Sequence, residues 1–254
     1  MSIITLHSYR HGVGKTTCMV NLAVLMVQRG YRVGLISPHL LSLWELFDSP
    51  ELIEAEGSEI PHIAIPLPYS EQSTYSEQQM VGQLIAIVGY DPTVLNVQQT
   101  AQTLAAIQQK LELDYLFIEL IDPLQSDVLS NLALCDVLIL MLGLDQTDVQ
   151  HTAVIADVAH QLGVRATFLL MSQTPPSLDS RVLHDQLQSI CPLSRIAILP
   201  WVSTIALNHQ ETFCLTYPDH DLNNRFREVV DQILALDATA PNDVNSQAAL
   251  RSLG

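Results

Sequence analysis

The sequence predicts an α/β fold with a doubly wound, mostly parallel sheet that is covered by helices on both faces. Near-continuous apolar runs alternate along the chain with segments whose apolar residues have helical spacing, and strands buried on both faces have this composition. The chain has 254 residues, 48% of them apolar, which suffices for one large core. We place a single α/β domain at residues 1–236 and a polar, linker-like tail at 237–254.

The first strand and the first helix enclose a glycine-rich loop. The apolar run at 3–6 predicts a strand, and the apolar spacing over 19–26 predicts one face of a helix that closes at Gly30. Residues 9–17, between them, read Tyr-Arg-His-Gly-Val-Gly-Lys-Thr-Thr. The order strand, tight loop, helix is typical of a phosphate-binding loop, with an accidental glycine-rich turn as the alternative.

The loop carries the residue types that phosphate binding requires. Gly12 and Gly14 let the backbone point its N–H groups inward, where they and the positive end of the helix can hold phosphate oxygens. Lys15 would reach the β and γ phosphates, and the Thr16 hydroxyl would ligate Mg²⁺. We therefore expect ATP or ADP, together with Mg²⁺, as the cofactors.

The loop departs from the general P-loop motif and resembles a variant of it. The general motif has a glycine six residues before the lysine, where this chain has Tyr9. Six of eight positions match the deviant Walker A motif, Lys-Gly-Gly-x-Gly-Lys-Thr-Thr, of the ParA/MinD group of P-loop ATPases, and Arg10 and His11 replace the first two. The resemblance implies a P-loop NTPase-like fold and a binding loop formed by His11, Gly12, Val13, Gly14, Lys15, Thr16 and Thr17.

The resemblance also implies a function. ParA/MinD proteins are ATP-binding switches that form a nucleotide-sandwich homodimer and position, partition or regulate a cellular cargo through a partner protein. In that group the lysine at the Arg10 position reaches the nucleotide of the other subunit. Arg10 retains the positive charge. It would contact the nucleotide of the other subunit and serve as a catalytic residue together with Lys15, or it would only form a salt bridge with a nearby carboxylate.

The second predicted strand, at 31–36, ends without the carboxylates of the group. ParA/MinD proteins have Asp-x-Asp there, and this chain has Ser37 and His39. We therefore expect weak or no ATP hydrolysis, and the alternative function is a non-hydrolysing, nucleotide-bound scaffold. His39 could orient a water molecule, or it could be an ordinary hydrogen-bonded loop residue.

The region 48–113 gives the least specific signal. Residues 48–76 predict a long loop with an edge strand at 62–67, because prolines interrupt an otherwise β-like run. Helical patterns follow at 76–90 and at 97–113. Crossover helices and a partner-facing surface both remain open for this region.

The run at 114–123 predicts the next buried strand, which aligns with the Walker B strand of the group. Glu119 stands where the group has an aspartate, so it would support Mg²⁺ from a side chain that is one methylene longer. Asp122 is a rival for this role, or it caps a helix at 125–134. Pro123 replaces the switch glycine, which would weaken a nucleotide-driven motion because proline lacks an N–H.

The rest of the chain continues the alternation of strands and helices. We predict strands at 135–142, 166–171 and 195–200 and helices at 147–162 and 221–236. Gln173 lies where the resemblance places a contact to the adenine, and it is either a base-reading residue or a solvated loop glutamine. The loop after residue 200 would cover the base.

Charge limits the classes of partner. The formal net charge is −16, and the only lysines are Lys15 and Lys110. Direct DNA binding and an anionic membrane surface are disfavoured because both need clustered basic residues.

We see no membrane span and no signal peptide, so we expect a cytoplasmic protein. The four cysteines are far apart in sequence, which fits reduced core thiols better than a metal or disulfide framework.

Overall fold

A computed structural model describes residues 1–38, 62–65, 82–87, 97–120, 129, 131–207 and 212–239. Its strands form one sheet of eight: β1 Ser2–His7, β2 Arg32–Ile36, β3 His62–Ile65, β4 Gln83–Ile87, β5 Tyr115–Glu119, β6 Val137–Leu142, β7 Ala166–Thr174 and β8 Arg195–Pro200. The helices described in full are α1 Lys15–Val27, α2 Val97–Leu111, α3 Gln146–Gln161, α4 Ser180–Ile190, α5 Ser203–Leu207, α6 Phe213–Thr216 and α7 Asp221–Thr239.

The sheet is parallel except at one edge. The strand order is β3-β4-β2-β5-β1-β6-β7-β8, and only the pairing of β3 with β4 is antiparallel. Strand β1 lies between β5 and β6, with Leu6 opposite both Glu119 and Ile139. The predicted fold class is therefore confirmed, and parallel pairing brings the carboxyl ends of these strands to one edge, where ligands bind in such folds.

Two apolar cores lie on the two faces of the sheet. One contains α1 and α7, and the other contains buried residues of α2, α3 and α4. Every side chain of α1 from Cys18 to Val27 is buried, because the helix packs between the sheet and α7. A helix enclosed in this way is apolar all round and has little freedom to shift.

The helix predicted at 76–90 is wrong over residues 83–87, where the chain forms strand β4. Residues 76–81 and 88–90 lie outside the described part of the chain. Leu84 and Ala86 face one core, and Ile85 and Ile87 face the other. A short strand that is buried on both faces is apolar at every position, so periodicity alone does not distinguish it from a buried helix.

Other predicted elements agree with the structure to within a few residues. The edge strand at 62–67 is confirmed over its described residues, 62–65, as β3. Half of the helix predicted at 125–134 lies outside the described residues, and residues 129, 131 and 132 are helical. Helix α7 extends beyond residue 236 to Thr239, and Asp237 pairs with Arg165 at 2.5 Å. The separate tail at 237–254 stays a prediction, since residues 240–254 lie outside the described part.

Two further expectations concern the whole chain. None of the helices in the described ranges is long and apolar enough to cross a membrane. The four cysteines are buried free thiols, as expected.

Helix α4 was not predicted from the sequence. It buries only Leu187, so its apolar stripe is narrow.

Gly82 marks a close approach between β4 and the end of α1, and we predict that Gly82→Ala destabilises the fold. A Cβ at Gly82 would lie 2.2 Å from the backbone oxygen of Val27 and 2.9 Å from that of Tyr31. Because backbone atoms cannot rotate away, the free energy of unfolding should fall by about 3 kcal/mol or more. Denaturant unfolding measures this change.

Gly34→Ala is the matched control for this prediction. A Cβ at Gly34 would meet the Leu113 and Leu116 methyl groups at 2.6 and 2.9 Å, and these flexible side-chain ends can move. We therefore expect a smaller loss of stability for Gly34→Ala. Equal losses of unfolding free energy in both variants would show that contact with backbone atoms is not what excludes a side chain at Gly82.

Candidate functional site

The loop between β1 and α1 has the backbone conformation that a phosphate-binding loop needs. Gly12 has φ +77° and Gly14 has φ +85°, and among the described residues nothing lies within 4 Å of a Cβ built at either position. Conformation, not space, therefore requires glycine here. Gly14 is the N-cap of α1, which begins at Lys15, so the positive end of this helix faces the loop.

A cavity of about 660 Å³ opens over this loop. Its lining combines the loop and Glu119 with many apolar side chains. The apolar lining consists of Met141, Leu199, Pro200, Trp201, Val202, Ile205, Leu222 and Phe226. A pocket whose lining has both a polar, cationic part and an apolar part suits a nucleotide, which has phosphates and a base.

The Lys15 side chain reaches back to the start of the loop. Its Nζ atom donates to Ser8 Oγ at 2.8 Å, and the Ser8 hydroxyl donates to the carbonyl oxygen of Arg10 at 2.6 Å. Burial lowers the pKa of Lys15, while the nearby Glu119 carboxylate opposes this effect. A hydrogen bond to Ser8 thus already positions the ammonium group of Lys15 when no ligand is bound.

The Glu119 carboxylate accepts a hydroxyl on each oxygen. Thr16 donates to Oε1 at 2.7 Å, and Ser37 donates to Oε2 at 2.6 Å. Glu119 is only 2% exposed. The register explains the second bond, because Ile36 lies opposite Ile118 and the next residues of the two parallel strands are therefore neighbours.

Thr16 and Glu119 supply hydroxyl and carboxylate oxygens, and Mg²⁺ prefers such hard oxygen donors. No group of three or more His, Cys, Asp or Glu side chains in the described ranges could hold a metal ion. Mg²⁺ is commonly bound through one or two carboxylates together with water and substrate phosphates, so these two side chains fit a metal that arrives with a nucleotide.

Arg10 forms ion pairs with helix α3 and its N-cap. Its Nη2 atom lies 2.9 Å from Asp145 Oδ1, and its Nε atom lies 3.9 Å from Asp148 Oδ1. Asp145 caps α3 by accepting from the Thr147 N–H at 2.8 Å. That hydrogen bond, and then the Arg10 charge, hold the pKa of Asp145 below its usual value. Within one chain, Arg10 thus has the salt bridge that was one of its two predicted roles.

Two more contacts tie the loop to its surroundings. The rings of Tyr9 and His151 stack with centroids 3.8 Å apart, which joins the start of the loop to α3. Gln173 has φ +55° at an irregularity between β7 and β8, and its Nε2 donates to the carbonyl oxygen of Gly12 at 2.9 Å. A bulge next to a site commonly re-aims a side chain in this way.

The structure brings most of the predicted site residues to one place. The cavity is lined by His11, Gly12, Val13, Gly14, Lys15, Thr16, Thr17, Glu119 and Gln173, while Arg10 lies beside it against α3. His39, Asp122 and Pro123 lie outside the described residues, so their predicted roles stay predictions. The Gln173 amide nitrogen bonds the loop itself, and base reading by this residue also stays a prediction.

Sequence reasoning missed several residues of the site. They are the hydrogen-bond, ion-pair and stacking partners of the loop, namely Ser8, Asp145, Asp148 and His151. Ser37 was singled out for the carboxylate that it replaces, but not as a hydrogen-bond partner of Glu119. Ser8 lies between the first predicted strand and the loop, which is a signal that could have found it. No local pattern marks the residues of α3 as partners of the loop.

No family profile matches the sequence, and no curated protein matches it either. Solved structures do match. The MinC:MinD cell division protein complex of Aquifex aeolicus matches with a TM-score of 0.67 and 13% identity, over 92% of this chain and 96% of that chain. The cell division ATPase MinD of Pyrococcus furiosus matches with a TM-score of 0.63 and 18% identity, over 92% and 99%.

A third match is an ATP complex of a single-residue variant of McdA from Cyanothece, with a TM-score of 0.56 and 19% identity over 92% of this chain and 96% of that chain. The chain thus has the fold of the MinD and McdA proteins over nearly its whole length. The ParA/MinD resemblance inferred from the loop is confirmed at the level of the fold.

His7 ends strand β1 just before the loop and is fully buried. Neither of its ring nitrogens has a hydrogen-bond partner within the described part of the chain. Burial, and then the charge of Lys15, lower the pKa of His7 from 6.5 to about 4. The folded protein therefore keeps this imidazole neutral over a pH range in which the unfolded chain protonates it.

We predict that His7 makes the fold less stable as the pH falls. Between pH 6.5 and about 4 the unfolded state binds a proton at His7 that the native state does not, so the free energy of unfolding decreases. Near pH 4 this loss should reach about 3 kcal/mol. Denaturant unfolding across this range should show a flatter pH dependence for His7→Leu than for the wild type.

His184→Leu provides the control for losing a histidine, because His184 is exposed whereas His7 is buried. The His184 ring lies beside the exposed Asp185, at the surface of α4. Parallel stability curves for His7→Leu and the wild type over this pH range would contradict a neutral, buried His7.

Proposed function

We propose that this protein is a ParA/MinD-like ATP-binding switch. It would bind ATP or ADP with Mg²⁺ in the cavity over the loop, form a nucleotide-dependent homodimer, and act through a protein partner on the position, partitioning or regulation of a cargo. The observation that carries the proposal is the arrangement of Lys15 and the Thr16–Glu119 pair around a loop with glycines in the left-handed conformation.

The chemistry of the cavity supports nucleotide binding. Loop N–H groups, a helix N-terminus and a buried ammonium group together form a site for an anion. The apolar lining of the same cavity suits a base. The Cyanothece McdA variant is an ATP complex, and a MinD of Pyrococcus horikoshii with 16% identity is complexed with Mg-ADP.

Hydrolysis should be weak or absent. The resemblance places a carboxylate at position 37, and this chain has a serine whose hydroxyl is bonded to Glu119. With no acid at position 37, one of the usual groups for orienting water and the metal shell is missing. The alternative function, a nucleotide-bound scaffold that does not turn over, rests on this same residue.

Dimer formation would require Arg10 to change partners. In the single chain its guanidinium bonds Asp145, and both side chains are about half exposed, at 47% and 43%. An exposed pair of this kind is screened by solvent and contributes little to stability, so a phosphate of a second subunit could compete for Arg10. The MinC:MinD complex supports a protein partner as a further component.

We predict that Lys15→Ala weakens ATP binding by about 100-fold, since a charge-assisted hydrogen bond to phosphate is lost. Calorimetric titration with ATP and with ADP in Mg²⁺ measures the affinity. Lys110→Ala is the matched control, because Lys110 is the other lysine of the chain and lies on α2, and it should bind as the wild type does. Unchanged binding in Lys15→Ala would remove the nucleotide hypothesis.

We further predict that Arg10 and Asp145 have opposite effects on dimerisation. Arg10→Ala should bind ATP as a monomer, because the cation for the second subunit is gone, whereas Asp145→Ala should dimerise at a lower protein concentration than the wild type. Light scattering with ATP and Mg²⁺ tests both variants, and Arg10→Lys should restore part of the dimer. A wild type that stays monomeric with ATP bound would contradict the switch.

Phosphate release then separates the two candidate functions. The same ATP-bound samples are followed for inorganic phosphate over hours. Slow release from the dimer would support a switch with a weak ATPase activity. Stable binding without release would favour the scaffold, which is the outcome that the serine at position 37 suggests.

A further inference from the structure

We infer that Ser37 is a positioning residue, and that its hydroxyl holds the Glu119 carboxylate in the orientation that sets the Mg²⁺ requirement of nucleotide binding. This inference rests on the proposed function, because it concerns the same site. It assigns a role to a position at which the expected carboxylate is absent, and it leaves Glu119 without the acid that a ParA/MinD-like pattern has at position 37.

The first step is the geometry of the pair. Both residues are 2% exposed, and the Ser37 hydroxyl donates to Glu119 Oε2 at 2.6 Å. The other oxygen, Oε1, accepts the Thr16 hydroxyl at 2.7 Å. A carboxylate with one hydroxyl on each oxygen cannot rotate without breaking a charge-assisted hydrogen bond.

The second step is that Ser37 would act on the metal through Glu119 and not by direct contact with a ligand. Glu119 and Thr16 line the cavity over the loop, whereas Ser37 does not. A side chain that does not border the cavity does not touch a ligand bound there. Loss of the Ser37 hydroxyl should therefore change how the metal is held, because outer contacts orient metal ligands, without changing direct contacts to phosphate.

The third step is that the side chains at positions 37 and 119 suit each other in charge and in length. The register places position 37 beside position 119, and an aspartate at 37 would bring two buried carboxylates together. Such a pair is strongly unfavourable unless a metal ion or a proton lies between them. A serine removes this repulsion, and the longer side chain of glutamate still reaches Thr16. The two departures from the ParA/MinD pattern thus compensate each other.

The main test measures the Mg²⁺ dependence of ADP binding, since ADP avoids any hydrolysis. Calorimetry gives the ADP affinity in EDTA and over a MgCl₂ series, and the Mn²⁺ signal in electron paramagnetic resonance reports metal bound with ADP. Ser37→Ala should raise the half-saturating Mg²⁺ concentration about tenfold and leave the affinity in EDTA unchanged. Ser37→Thr keeps a hydroxyl and should recover most of this shift.

Ser194→Ala is the matched control, because Ser194 is also buried, at 7% exposure, but precedes β8 away from the loop. It should bind ADP with the wild-type Mg²⁺ dependence. A shift of less than about twofold in Ser37→Ala would overturn the inference. An equal loss of ADP affinity in Ser37→Ala with and without Mg²⁺ would also overturn it. The same shift of the half-saturating Mg²⁺ concentration in Ser37→Thr would do so too.

A stability measurement tests the compensation independently of metal. Without nucleotide, Ser37→Asp should lower the melting temperature, and Ser37→Asp combined with Glu119→Gln should recover it, because only one carboxylate then remains. No recovery in the double variant would overturn the pairing. If the wild type binds no ADP with Mg²⁺ at all, the proposed function fails first and the metal role of Ser37 fails with it.

Discussion

One buried carboxylate fixes the relative positions of three parts of this site. Glu119 ends a central strand and accepts hydroxyls from Thr16 on α1 and from Ser37 after β2. A buried charge is tolerated only when its hydrogen-bonding capacity is met, so the fold keeps all three groups together. Because α1 is enclosed between the sheet and α7, the loop that precedes this helix has one fixed end.

The two halves of the loop are held by contacts of different strength. The inner half is anchored by the buried Lys15 and by the Thr16–Glu119 bond. The outer half is held at the surface by the stacking of Tyr9 on His151 and by the Arg10–Asp145 pair. An exposed ion pair such as Arg10–Asp145 is weak. The geometry thus combines a rigid inner half with an outer face on which Arg10 can exchange partners.

Local sequence patterns were enough for the fold and for the order of strand, glycine-rich loop and helix, because these elements are adjacent in the chain. They failed at β4, where burial on both faces removes the alternation that identifies a strand. They also missed the Ser37–Glu119 and Gln173–Gly12 bonds, which join residues 82 and 161 positions apart. Such contacts depend on strand register and on a bulge, and neither can be read from the residues themselves.

The bond between Lys15 and Ser8 affects the thermodynamics of ligand binding. A lysine side chain loses up to about 2 kcal/mol of conformational entropy when it becomes ordered. Here that loss occurs during folding, since the ammonium group is already placed by Ser8 Oγ. An incoming phosphate would replace a neutral acceptor with a charged one, and the lysine would not have to become ordered first. Preorganisation of this kind leaves more of the charge–charge attraction available as net affinity.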